Sequence, residues 1–177
     1  MAVVEKEQIV YSAAFGSYGD IALTPDTPFE VASLSKPVFA YLVLKLWEQG
    51  VFDLDRPLNE YLPEPYLADE LYLPLITARH ALTHTTGFPN WREETGLRAL
   101  FRPGTAFHYS TEGLIYLQTV IEHLLEQPLH SYIQEQVLDP FGMHNSPFLP
   151  IDMSPFPAYL PRHLTSFGAV SLQTTAV

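Results

Sequence analysis

Ser33 and Lys36 are the first residues whose types and spacing can do chemistry. They lie in Phe29-Glu30-Val31-Ala32-Ser33-Leu34-Ser35-Lys36-Pro37, where an apolar extended run turns into an amphipathic helix. If Ser33 opens that helix, Lys36 stands one turn on, on the same face. An amine or ammonium then sits beside a hydroxyl at a helix N-terminus, where free N–H groups and the dipole favour negative charge. Those conditions activate a weak nucleophile. A plainer reading of the same residues is a serine N-cap followed by a solvated lysine.

Tyr109 is the second candidate. It stands in Tyr109-Ser110-Thr111, after the Pro103-Gly104-Thr105 turn and before an apolar helix. A cation such as Lys36 nearby would stabilise phenolate and lower the phenol's pKa, making Tyr109 a possible base toward Ser33. Alternatively Tyr109 bonds a carbonyl, with Ser110 or Thr111 serving only as N-cap. His80 and His84 have the i,i+4 spacing of many zinc ligand pairs, but Ala81 occupies the position of the zincin glutamate, so no metal or other cofactor is expected. His84 is read instead as bonding backbone around the Thr85-Thr86-Gly87 turn, and His108 as pointing away from Tyr109's side by strand alternation. Asp53 and Asp55 are turn and cap residues, since Pro57 and Leu58 stand where a calcium loop needs oxygens. Glu93 and Glu94 read as a solvated face.

These residues need elements to hold them. Gln8 to Phe15 reads as a strand that turns through residues 16–20 and returns over Ile21 to Leu23. Phe29 to Ala32 is extended. The 3.6-residue spacing of Leu34, Val38, Tyr41, Leu42, Lys45 and Leu46 predicts a helix to about Gln49, stopped by Gly50. Further helices are expected over residues 58–62, 78–83 behind a Thr77 cap, 111–126 and 129–137, with a helical turn or two over 93–100. A proline-rich loop covers residues 147–161, and 166–172 alternates like a last strand. The strands are too few for a complete sheet, and an isolated hairpin is marginal in water.

Composition narrows the function classes. The 177 residues are 47% hydrophobic and 16% charged, a globular balance. Nine basic against twenty acidic residues give a formal charge of −11, which argues against nucleic acid and against an anionic membrane surface. With no cysteine, disulfides and thiolate metal sites are excluded. The first seven residues carry two Glu and a Lys, unlike a signal peptide, and no run is long and apolar enough for membrane insertion, so a cytoplasmic location is expected.

Five stretches in one order resemble the serine β-lactamase-related hydrolases: class C β-lactamases, DD-peptidases and the esterases built like them. They are Phe29 to Pro37, Gly50 to Pro63, Ile76 to Pro89 with its Leu-Thr-His-Thr-Thr-Gly, Pro103 to Thr111, and Leu138 to Asn145. Together they span most of residues 8–172. The resemblance implies an α+β fold of the β-lactamase/DD-peptidase kind. It also implies an acyl-enzyme mechanism on a small-molecule ester, amide or β-lactam. By position, Ser33 would be acylated, Lys36 would help deprotonate it, and Tyr109 would be the partner base and later proton donor. The Ser33 N–H would form half of an oxyanion hole.

Two departures accompany the match. Thr111 stands where the family's Tyr-x-Asn element carries its substrate-binding Asn, offering a shorter hydroxyl in place of an amide. The late Lys-Thr-Gly or His-x-Gly motif is absent, since no lysine follows Lys45 and no His-x-Gly occurs. The chain is therefore expected to be one partial domain over residues 1–177: a hairpin and lead-in strand to 32, a helical region over 33–165, and a short strand with a truncated end over 166–177. The C-terminal strands of the sheet and the second oxyanion N–H would be missing. Impaired hydrolase activity follows, or alternatively an inactive binding scaffold. The open edge at Gln8 to Phe15 would invite self-association.

Overall fold

The structure is a computed structural model that describes residues 1–93, 95–148, 168 and 171–175. It is α+β, with short strands in two-stranded antiparallel sheets beside a helical core. Strands β1 (Ala2–Glu5) and β2 (Gln8–Ser12) pair with Ala2 opposite Ser12 and Glu5 opposite Gln8. The charged first residues are thus a strand, and β2 pairs back onto them rather than forward. Lys6 and Glu7 make the turn at φ 49° and 65°. Two left-handed residues suit the twist of a tight hairpin, but without the usual Asn or Gly they leave no sequence signal. The returning strand expected over Ile21 to Leu23 pairs only locally, as β3 (Ser17–Tyr18) with β4 (Ile21–Ala22).

β5 (Phe29–Glu30) leads through a 3-10 turn, Ala32–Leu34, into α1 (Ser35–Glu48). One face of α1 buries Phe39, Leu42, Val43 and Leu46 completely. Gly50, at φ 74°, ends it, with its N–H on the Trp47 carbonyl and the Val51 N–H on that of Leu46. This is the double bond of a Schellman cap. The 3-10 turns Leu58–Tyr61 and Leu73–Leu75 lead to α2 (Ala78–Leu82). Thr77 caps α2 by accepting from the His80 N–H, and His80 Nδ1 accepts from the Thr77 N–H in return. The helical turn expected over 93–100 is absent from the described residues 93 and 95–100. Glu93 bridges Gly96, whose φ of 107° breaks any helix there, and the Leu100 N–H bonds the Gly87 carbonyl.

α3 (Thr111–Leu125) is the central core helix, burying Leu114, Ile115, Tyr116, Leu117, Val120 and Ile121. α4 (Leu129–Ile133) runs into a π turn, Gln134–Leu138, so the expected 129–137 helix is present with its last turn widened. β6 (Gln173–Thr174) pairs with β5, Phe29 opposite Thr174. The last strand falls just beyond the expected 166–172, of which only 168, 171 and 172 are described; the proline-rich loop lies outside the described residues after Phe148. Among the described residues every buried apolar core side chain lies at Phe39 or later, while Val3, Val4, Ile9, Val10 and Tyr11 stay exposed. No described helix is long and apolar enough to cross a membrane.

Candidate active site

The site begins with a backbone irregularity. Ala32 takes φ 45°, a left-handed conformation that a side-chain-bearing residue rarely adopts without compensation. The compensation is buried below it. Ser35 is fully buried, and its hydroxyl donates to the Ala32 carbonyl at 2.6 Å and accepts from the Leu172 N–H at 3.0 Å. The Val31 N–H bonds the Leu172 carbonyl at 3.2 Å, so β5's exit is tied to the segment before β6. This sharp, pinned turn leaves Ser33 exposed at the entry to α1.

Two side chains converge on it. Lys36 Nζ donates to Ser33 Oγ at 3.0 Å, and the Tyr109 hydroxyl donates to the same oxygen at 2.9 Å. Lys36 Nζ also lies 5.0 Å from the centroid of the Tyr109 ring. Burial works to raise the Tyr109 pKa, but bonds with Lys36 and Ser33 and the charge of Lys36 outweigh it. The net result is a phenol held below its ordinary value of 10.0. A phenolate at Tyr109 would reverse the 2.9 Å bond and accept the Ser33 proton. The arrangement can therefore generate a nucleophilic alkoxide beside a cation.

Tyr109 is carried to Ser33 by the loop before α3, and that loop is clamped. The His108 N–H donates to the His84 carbonyl at 2.8 Å, and the Ser110 N–H to His84 Nδ1 at 3.1 Å. The His84 ring lies against Tyr109, centroids 4.5 Å apart, with Phe107 edge-on to its own ring at 6.0 Å. Burial and the charge of Lys36 keep the His84 imidazole pKa low, which suits an Nδ1 that must accept. Ser110, fully buried, caps α3 by accepting from the Gly113 N–H at 2.9 Å while donating to the Pro89 carbonyl at 2.8 Å.

The structure brings Ser33, Lys36 and Tyr109 together and places Thr111 differently. Thr111 is 2% exposed, and its hydroxyl donates to Asn90 Oδ1 at 2.9 Å. The Asn90 carbonyl also accepts from the N–H groups of Thr111 and Glu112. Glu112, fully buried, is paired with Arg92 at 2.7 Å, and Arg92 reaches the Tyr66 hydroxyl at 2.6 Å. Asn90, Arg92 and Glu112 thus fasten the 89–92 loop to the start of α3. Sequence reasoning missed all three. The available signal was a glutamate on the buried face of an apolar helix, which must find a cation. His80 spends Nδ1 on its cap, and Asp53 accepts from the Asp55 N–H while Asp55 pairs with Arg79. No cluster of three metal-ligating side chains occurs among the described residues.

The Beta-lactamase family model matches residues 1–164. Esterase EstB of Burkholderia gladioli is 33% identical over an alignment covering 84% of this chain and 46% of that protein. Penicillin-binding protein 4* of Bacillus subtilis is 28% identical over 80% of this chain and 36% of its own length. The chain thus spans less than half the length of these curated relatives. Among solved structures, EstCE1, a hydrolase with promiscuous acyltransferase activity, superposes with a TM-score of 0.78 at 20% identity, over 99% of this chain and 63% of that one. The octameric penicillin-binding protein homologue from Pyrococcus abyssi gives 0.77 at 21%, over 99% and 49%. The fold is that of the β-lactamases and DD-peptidases, matched here in part, and the chain belongs to the Beta-lactamase family of serine hydrolases.

Proposed function

We propose that this chain carries the acylating centre of a β-lactamase-related serine hydrolase, acting on an ester, amide or β-lactam. The observation that carries the reading is the convergence of Lys36 and Tyr109 on Ser33 Oγ, at 3.0 and 2.9 Å. With Tyr109 as phenolate and Lys36 as ammonium, the Ser33 proton passes to Tyr109 as Oγ bonds the acyl carbon. The tetrahedral adduct then collapses, and Tyr109 returns that proton to the departing alcohol or amine. The same phenolate then takes a proton from water as the water oxygen adds to the acyl carbon, and it gives that proton to Ser33 Oγ as the C–Oγ bond breaks and the acid leaves.

The reading includes impairment. Thr111's hydroxyl is engaged by Asn90, and residues 1–177 contain no Lys-Thr-Gly or His-x-Gly. A fluorophosphonate incubated with the chain should phosphonylate it once, at Ser33, with the adduct abolished by Ser33→Ala. Turnover of p-nitrophenyl butyrate and nitrocefin should be weak or undetectable. No adduct under saturating probe would sink the nucleophile and favour a non-catalytic scaffold, while vigorous Ser33-dependent turnover would sink the impairment. Because the base form of Tyr109 is the deprotonated one, the rate should rise with pH and level off at a midpoint below 10. Lys36→Met removes the cation and should move that midpoint up.

A further inference from the structure

His84 occupies a position where a histidine is conformationally unfavourable. α2 ends at Leu82 with Thr83 as its C-cap. The next residue, His84, takes φ 56°, its N–H donates to the Ala81 carbonyl at 3.2 Å, and the Thr85 N–H donates to the His80 carbonyl at 2.8 Å. This is the same Schellman cap that ends α1, where Gly50 holds the left-handed residue. Glycine suits that conformation without a Cβ penalty, and asparagine tolerates it. A histidine there gives up the conformational freedom that glycine offers, so its side chain must be sought for the reason.

That side chain meets the site. Nδ1 accepts the Ser110 N–H at 3.1 Å, the ring lies 4.5 Å from the Tyr109 ring at 32°, and the backbone carbonyl accepts the His108 N–H at 2.8 Å. One residue thereby grips the chain on both sides of Tyr109 and braces the phenol ring itself. A ring separation of 4.5 Å lies at the close end of favourable aromatic contacts. Among the described residues, the other side chains bonded to or stacked on Tyr109 are Ser33 and Lys36. Neither holds its backbone.

We infer that His84 is a positioning residue: it fixes the Tyr109 phenol against Ser33 through its ring contact and its hold on the backbone of residues 108 and 110. The inference rests on the reading of Tyr109 as the base. It predicts a separation of stability from site geometry. His84→Asn keeps a left-handed-tolerant backbone and an acceptor where Nδ1 stood but removes the ring. His84→Gly removes both ring and acceptor.

The test labels the tyrosines with 13C at Cζ, assigns Tyr109 by Tyr109→Phe, and follows its shift and titration in the full chain. For both variants we expect a melting temperature no lower than the parent's for Asn and within a few degrees for Gly. The Tyr109 resonance should be displaced, and its titration midpoint should move up toward 10. Phosphonylation of Ser33 should slow about ten- to a hundred-fold, the scale of a misplaced catalytic group. An unchanged Tyr109 shift and midpoint in the folded variants would overturn the inference. So would collapse of the fold in His84→Asn, which would make His84 a structural residue. If the parent takes up no probe, the proposed function fails, but the Tyr109 titration still decides the role of His84.

Discussion

The Ser33 site and the N-terminal hairpin lie on one chain and are built in opposite ways. Around Ser33, the exposed groups adjoin buried, bonded residues: Ser35 holds the Ala32 carbonyl beside Ser33, and Ser110, next to Tyr109, caps α3. In the hairpin, Val3, Val4, Ile9, Val10 and Tyr11 are all exposed, and among the described residues β1 and β2 pair as strands only with each other. Site precision therefore comes from the helical core and its polar anchors. The hairpin is joined by backbone bonds without a buried apolar layer, the arrangement least able to hold itself in water.

The comparison breaks most sharply at the site. Tyr109→Phe should lower the phosphonylation rate at Ser33 by about 10²- to 10⁴-fold, the range for a general base. Circular dichroism should show the fold unchanged, because Tyr109 is an exposed residue and its hydroxyl bonds the exposed Ser33. A rate within threefold of the parent would mean that the Tyr109–Ser33 bond has no part in activation.

Packing supplies the next contrast. Phe39 is fully buried on α1 behind the Ser33 turn, whereas Val4 is 64% exposed. In urea, Phe39→Ala should cost about 3–5 kcal/mol. Val4→Ala should fall within about 0.5 kcal/mol of the parent. Equal losses would show that the hairpin is an integral part of the cooperative unit.

The smallest effect concerns association. We propose that the open edges of β1 and β2 pair with a second copy, as unpaired strand edges tend to do. Sedimentation should then reveal a concentration-dependent dimer that Val10→Lys weakens, since an edge charge opposes pairing. A parent that stays monomeric at high concentration, with β2 amides protected from exchange, would reverse this assignment.

Much of the helical scaffold was legible in the sequence. The extents of α1 and α3, the apolar spacing of α3, the Gly50 stop and the Thr77 cap are local signals that the structure realises. The buried face of α1, by contrast, runs through Phe39, Leu42, Val43 and Leu46 and leaves Leu34 and Tyr41 of the expected stripe exposed. The first strand was not legible, because Lys6-Glu7 makes a left-handed turn without turn-type residues. The segment over 93–100 carried helix-forming residues, yet bonds such as Leu100 to Gly87 override that weak preference. Asn90 and Arg92 sit in a loop with no motif, so their partners on α3 could be found only in space.

The sequence by itself determined the relation of Ser33 to Lys36. Their separation is local, and one turn of helical geometry is enough to put an amine on a hydroxyl. Only the tertiary structure decided that Tyr109 would join them, because 76 residues separate it from Ser33. It likewise decided that Thr111 would turn inward to Asn90 and that His84 would face Tyr109. Such contacts depend on how α2 and the loop before α3 pack against the entry to α1. That packing is set by long-range bonds and burial, which residue spacing does not encode.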